Sequence, residues 1–245
     1  MVLAGRRPGR DPLASRFGVA DKALIEVGGE AMLSRVVRTL LAHSQVDKVV
    51  VLGDPQLRWV VEDDRASFEE AGASIADTLR SALERHDGPF LLTTADNPLL
   101  DSAMIDAFLA GAKRADLAAG LVERRVLLSA YPGSKRTWLR FRAGAYSGAN
   151  LFWLAGPQVL PVLDVWRRVE QQRKRARAVL GAFGPLLLAA VALRLLTVEQ
   201  AAARVGRRFG IVARAVVLPY PEACIDVDKP ADHALVEDVL RRRGG

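Results

Sequence analysis

An α/β fold with a mostly parallel sheet covered by helices on both faces is predicted from three observations. Apolar β-type runs alternate with helix-period segments over the first half of the chain. Several of the apolar runs end in glycine or aspartate, the residues of strand-to-loop transitions. Finally, 245 residues, half of them apolar, are enough to bury a substantial core in one large domain. No internal repeat or low-complexity linker marks a second domain, so residues 1–245 are expected to form a single domain.

The elements follow in chain order. A short apolar strand ends at Leu3-Ala4, and a loop Gly5-Arg6-Arg7-Pro8-Gly9-Arg10 follows it. Glycine lets backbone N–H groups approach phosphate oxygens, and arginine keeps its charge at neutral pH, so the loop has the chemistry of a polyphosphate cradle. It lacks the Gly-Lys-Ser/Thr ending of a Walker loop and the Gly-x-Gly-x-x-Gly spacing of a dinucleotide fingerprint. Lys22 and a Val27-Gly28-Gly29 turn come next. Met32, Leu33, Val36, Val37, Leu40 and Leu41 then fall at helical spacing within Met32–His43. Lys48–Leu52 reads as a buried strand ending at Gly53-Asp54. Ser74 is placed to cap a helix, with Asp77 three residues on. Phe90–Thr94 is the next strand, running into Asp96-Asn97-Pro98. Parallel sheets bind ligands beyond the carboxyl ends of their strands, where Gly5, Gly53 and Asp96 all fall.

Leu3–Arg10 with Lys22, Leu91–Leu100, Ser147–Phe152 and Ile225–Asp232 together resemble the MobA-like NTP transferases, a nucleotidyltransferase family. The Leu3–Arg10 stretch is similar to the family signature Leu-Ala-Gly-Gly-x-x-x-Arg, with Arg10 at the arginine position, Pro12-Leu13 after it and Lys22 about ten residues on. Leu91–Leu100 resembles the apolar strand that closes in Asp-x-Pro-Leu, Ser147–Phe152 the Gly-x-Asn segment, and Ile225–Asp232 the final Asp-x-Asp-x-Pro-Glu-Asp. The chain departs from the pattern in carrying Arg6 where the second glycine stands, and in a first strand of very few residues.

The resemblance implies a Rossmann-like sheet of the nucleotide-diphospho-sugar transferase type, and the residues themselves mark 157–210 as a helical insertion in the C-terminal third. It implies transfer of NMP from an NTP to a phosphorylated small-molecule acceptor, with pyrophosphate as the leaving group. Arg10, Lys22 and Asp96 take the catalytic roles. Leu3, Ala4, Gly5, Gly9, Arg10, Lys22 and Ser74 take the nucleotide. A turn aspartate is the plain reading of Asp96, but its place at a strand end beside a basic loop suits Mg²⁺, which prefers one or two carboxylates plus phosphate and water. One of Asp226 and Asp228 is expected to complete the metal site, with Asp228 alternatively capping the helix that starts near Pro230.

Lys135–Arg142 interleaves cations and aromatics. It reads either as a half-exposed strand or as an acceptor site in which Lys135, Arg136 and Arg140 hold an anion, with Tyr146 and Asn150 beside them. Further on, Arg167–Arg177 holds six cations and one acid, and Leu186–Leu196 is apolar but for Arg194. That run is about half of what a membrane span needs. It is read as a helical insertion over the cleft or at a dimer interface, or as a basic amphipathic surface resting on anionic lipid.

A formal net charge of +7 suits anionic ligands without selecting among them. The lone Cys224 permits no internal disulfide, and His43, His86 and His233 are scattered without cysteine partners, the wrong pattern for a zinc cluster. With no secretory h-region, a cytoplasmic monomer or homodimer is expected, its partners an NTP and an acceptor and not nucleic acid. A glycosyltransferase of the GT-A type also uses Asp-x-Asp on a metal, but carries it mid-chain, whereas here it stands near the C-terminus. A non-catalytic basic binder of membrane or nucleic acid accounts for the charge but leaves Lys22, Asp96 and Asp226/Asp228 without a role.

Overall fold

The computed structural model describes residues 1–5, 9, 11–171 and 184–244. Arg6, Arg7, Arg10 and residues 172–183 lie outside the described residues, so the roles expected of Arg10 and of most of the Arg167–Arg177 cluster have no structural counterpart below.

In chain order the elements are β1 (Val2–Ala4), α1 (Pro12–Arg16), the β2–β3 hairpin (Glu26–Val27, Glu30–Ala31), α2 (Met32–Leu41), β4 (Val49–Gly53), β5 (Ala66–Glu70), α3 (Ile75–Arg85), β6 (Phe90–Thr94) and α4 (Ser102–Ala112). After these come β7 (Leu117–Glu123), α5 (Arg124–Ala130), β8 (Leu139–Phe141), β9 (Gly144–Leu154), α6 (Leu160–Gln171), α7 (Pro185–Ala192), α8 (Val198–Phe209), β10 (Ala213–Leu218) and α9 (Pro230–Gly244). They group into two compact units: Met1–Ala71 with Leu92–Asp106 and Glu222–Gly245, and Gly72–Leu91 with Ala107–Pro221.

The first unit is built on parallel strands in the order β6-β1-β4-β5. β1 is only three residues long, yet it pairs on both sides, Val2 with Val51 and Thr93, Leu3 with Leu52 and Thr94. Its shortness is compensated by this central position, where both edges of the backbone find partners. β4 is buried along its whole length, as a strand covered on both faces must be. All six apolar positions expected on α2 face this core, although the helix stops at Leu41, two residues short of the expected His43.

Gly53 has a steric reason to be glycine: a Cβ there would lie 2.6 Å from the carbonyl oxygen of Ala4. Gly53→Ala is therefore expected to push β4 from β1 and destabilise the fold by about 1–3 kcal/mol, the usual scale of overpacking. Denaturant unfolding checks this. An unchanged midpoint would mean that the two strands separate freely.

In the second unit β7 pairs parallel with β10 and antiparallel with β9, and β8 adds antiparallel to β9. The β7–β9 register slips between Ala119 and Leu121, which face Phe152 and Gly148, so β9 carries extra residues there. Asn150 occupies this bulge with φ of 48°, a left-handed conformation that asparagine tolerates better than most side chains. α3 docks on α6 through ion pairs of Arg80 with Asp164 and of Arg167 with Asp77, the latter at 2.9 Å. Arg167, the first cation of the basic cluster, is thus engaged in holding two helices together.

Candidate functional site

In the first unit the carboxyl ends of β1, β4 and β6 lie on one edge, because parallel register sets Ala4 beside Gly53 and Leu3 beside Thr94. Gly5 leaves β1 at this edge, and a Cβ added to it would meet only Ala71 at an ordinary 3.4 Å. Gly9, with φ of 98°, is the loop glycine that needs its conformational freedom. Leu3 and Ala4 serve as strand residues behind the loop, with Ala4 buried. Asp11 then closes the loop by accepting the N–H groups of Leu13 and Ala14 at the start of α1.

Lys22 opens a single 3₁₀ turn, Lys22–Leu24, which is capped by the buried Asp21 carboxylate accepting the Ala23 N–H at 2.8 Å. The Lys22 ammonium donates to Asp96 Oδ2 at 2.7 Å and to Asp228 Oδ1 at 2.5 Å. Burial alone would lower its pKa. The Asp96 charge and the hydrogen bonds to Asp228 and Asp96 outweigh burial and raise it above the ordinary lysine value, so the ammonium is retained. Lys22 and Asp96 are about a fifth to a quarter exposed (21% and 24%), whereas Asp228 is 58% exposed, so the cluster opens to solvent on the Asp228 side.

Asp96 follows β6 directly. Thr94, the last residue of that strand, donates its hydroxyl to Asp96 Oδ1 at 2.5 Å. The Val227 N–H donates to the Asp96 carbonyl at 3.0 Å, which ties the C-terminal segment to the same edge. Carboxylate oxygens of Asp96, Asp226 and Asp228 lie within 4.8 Å of one another.

The expectation that only one of Asp226 and Asp228 reaches the site is corrected here: both do. Residues 225–228 belong to no assigned helix or strand. Ile225 and Val227 are completely buried, which turns Asp226 and Asp228 together the other way. Asp228 Oδ1 accepts from Lys22, and the Asp232 carboxylate accepts the N–H groups of Asp228 and Lys229, at 3.2 and 2.9 Å. Thr94 and Asp21 are supporting residues that the motifs did not single out. Each carries a weak local signal, an Asp one or two residues from a helix start or a hydroxyl at a strand end.

The second unit holds the other residues named from sequence. Ser74 caps α3, accepting the Asp77 N–H at 3.0 Å and donating to the Asp77 carboxylate at 2.7 Å, so its hydroxyl is already paired twice. Lys135 and Arg140 are exposed and Arg136 is half-buried. The cation–aromatic alternation becomes a strand only at β8, where Arg140 faces Ala145. Tyr146 is a core residue, 6% exposed and packed with Leu121, Val198 and Phe141, and its burial raises its phenol pKa. Asn150 sits at the bulge described above.

Comparison with known proteins agrees with this architecture. No curated protein matches the chain. Among solved structures, a hypothetical transferase from Thermus thermophilus is 32% identical over 95% of this chain and 97% of its own, with a TM-score of 0.81. A CMP:2-keto-3-deoxy-manno-octonic acid synthetase complexed with CTP superposes with a TM-score of 0.60 at 14% identity, covering 99% and 98% of the two chains. A 2-C-methyl-D-erythritol 4-phosphate cytidylyltransferase, also from Thermus thermophilus, does so with a TM-score of 0.50 at 16% identity, over 90% and 94%. At these lower identities the likeness is one of fold. The sequence model of the MobA-like NTP transferase domain matches residues 2–183, three-quarters of the chain, and on that match this protein belongs to the MobA-like NTP transferase family.

Proposed function

We propose that this protein is a Mg²⁺-dependent nucleotidyltransferase, in which a phosphate oxygen of a small-molecule acceptor attacks the α-phosphorus of an NTP and pyrophosphate leaves. The observation that carries this reading is the convergence of Asp96 and Asp228 on the Lys22 ammonium at the carboxyl edge of a parallel sheet, with an Asp226 carboxylate oxygen within 4.8 Å of theirs. The donor set is all carboxylate oxygen, hard ligands that suit Mg²⁺ and not the softer metals that thiolate or imidazole would select. Asp96 with Asp226 or Asp228 would hold Mg²⁺, which when bound would supply charge neutralisation for the phosphate oxygens.

The chain's own residues do the rest by positioning. Backbone N–H groups around Gly5 and Gly9, with Arg10, cradle the triphosphate. Lys22 faces the charge that builds on the leaving pyrophosphate, and Thr94 fixes the rotamer of Asp96 through its 2.5 Å hydrogen bond. Bond formation to the acceptor oxygen and bond cleavage to pyrophosphate occur in line at one phosphorus, so no covalent enzyme intermediate is needed.

Lys135, Arg136 and Arg140 are the residues proposed to hold the acceptor. Replacing Arg136 and Arg140 by Ala is expected to raise the acceptor KM about tenfold to a hundredfold, the scale of one lost charge-assisted contact, while the NTP dissociation constant stays nearly unchanged. An equal loss of NTP affinity would move these arginines to the nucleotide. The reading as a whole is tested by incubating the protein with each of four NTPs, Mg²⁺ and a panel of phosphorylated small molecules, with pyrophosphate as the readout. Absence of pyrophosphate with every combination, or sugar transfer from a nucleotide sugar in its place, overturns it. CTP is the first nucleotide to try, because the synthetase of the same fold is complexed with it.

A further inference from the structure

We infer that α7 and the arginines beside it form a peripheral docking surface for an anionic lipid bilayer. α7 is Pro-Leu-Leu-Leu-Ala-Ala-Val-Ala, apolar on every side, and none of its residues is buried. A helix apolar all round normally lies inside a protein or a membrane. Here Leu186 is 86% exposed, and Leu193 and Leu195, in the turn that follows, are 69% and 57% exposed. Scattered surface leucines need no explanation, but here three exposed leucines fall within ten residues of chain.

The neighbouring helix supplies the charge. α8 is firmly seated: a Thr197–Gln200 capping box opens it, Val198 and Ala201 are buried, and a Cβ on Gly206 would come within 2.6 Å of the Ile211 carbonyl oxygen. Its outer residues Arg204, Arg207 and Arg208 are exposed. Arg204 and Arg208 line a shallow depression of about 520 Å³ together with Pro185, Leu186, Leu187 and Ala190, so cations and apolar side chains share one surface. From Pro185 to Phe209 there are four arginines and one acid, Glu199.

These features choose the occupant. A second copy of this chain would bring the same arginine rim against itself, like charge on like charge. An anionic bilayer complements both parts at once, taking the leucines at the level of the headgroups and the guanidinium groups at its phosphates, with the arginine stems lying along apolar surface. At eight residues α7 rises only about 12 Å, so it lies in the interface and does not cross it. Among the described residues no helix is long and apolar enough to cross a membrane.

Sedimentation of the full chain with vesicles of equal parts phosphatidylglycerol and phosphatidylcholine, against pure phosphatidylcholine, tests the inference. Binding is expected to the anionic vesicles alone and to weaken as salt is raised. Leu186→Ser with Leu193→Ser is expected to weaken it about a hundredfold, roughly tenfold for each leucine withdrawn from the apolar layer. Arg204→Gln with Arg208→Gln is expected to weaken it at least tenfold, from about fivefold per charge. All four residues are exposed, and thermal unfolding of the variants confirms that the fold is intact. The inference is overturned by absence of binding to anionic vesicles, by equal binding to both vesicle types, or by variants that bind as the parent does. It is also overturned by a dimer in sedimentation velocity that the leucine variant dissociates, since a second copy would then cover the patch.

Discussion

Asp96→Ala is expected to lower turnover by about 10²-fold or more while leaving the protein folded. The magnitude is that of losing one strong charge-stabilising element from a site that works by electrostatics. Three contacts converge on this residue: the Thr94 hydroxyl on one carboxylate oxygen, the Lys22 ammonium on the other, and the Val227 N–H on its carbonyl. Only the last survives the substitution, and it holds the backbone edge in place. Asp96→Asn separates the two roles of the side chain, since the amide keeps the shape and loses the charge. Both variants should therefore fail alike in turnover and unfold near the parent temperature. Activity within a few-fold of the parent at saturating Mg²⁺ would remove Asp96 from the mechanism.

Lys22→Ala should act in two opposite directions. Turnover is expected to fall by about tenfold to a hundredfold, because a charge-assisted contact to the triphosphate is lost. In the absence of nucleotide, however, binding of a divalent cation should become tighter. The ammonium lies 2.7 and 2.5 Å from two carboxylates of the same acidic cluster, and its removal takes away a positive charge that offsets their mutual repulsion. Mn²⁺ titration followed by electron paramagnetic resonance reads this directly, since the free ion gives the signal. Unchanged Mn²⁺ affinity would mean that Lys22 and the cation do not share the cluster. The paired result distinguishes a lysine that serves both carboxylates and phosphate from one that only stabilises the fold.

Much of the local structure was legible in the residues. The helix from Met32 follows from six apolar positions at helical spacing, all six of which are buried. The strand at Phe90–Thr94 has the bounds expected of it, and Ser74 caps its helix as the Ser-x-x-Asp pattern implies. These are short-range properties, set by periodicity and by local competition for backbone N–H groups. Less was legible where an outcome depends on residues far apart in sequence. Asp226 and Asp228 were expected to divide their roles, but Ile225 and Val227 need burial, and the chain turns both carboxylates to the same side. Tyr146, grouped by its neighbours with cations, is drawn into the core by Leu121, Val198 and Phe141, which come from three separate elements.

By itself, then, the sequence determined the alternation of strands and helices, the family signature, and the residue types of the site, because each depends on spacing within one segment. Only the tertiary structure decided that Lys22 meets Asp96 and Asp228, residues 74 and 206 positions away along the chain. It also decided that no residue of α7 is fully buried while α8 is held at its base. Periodicity states which side of an element is apolar. Which distant side chains then share that side, and whether anything covers it, follows from how parallel strands set their carboxyl ends along one edge and how each helix finds, or lacks, a face to pack against.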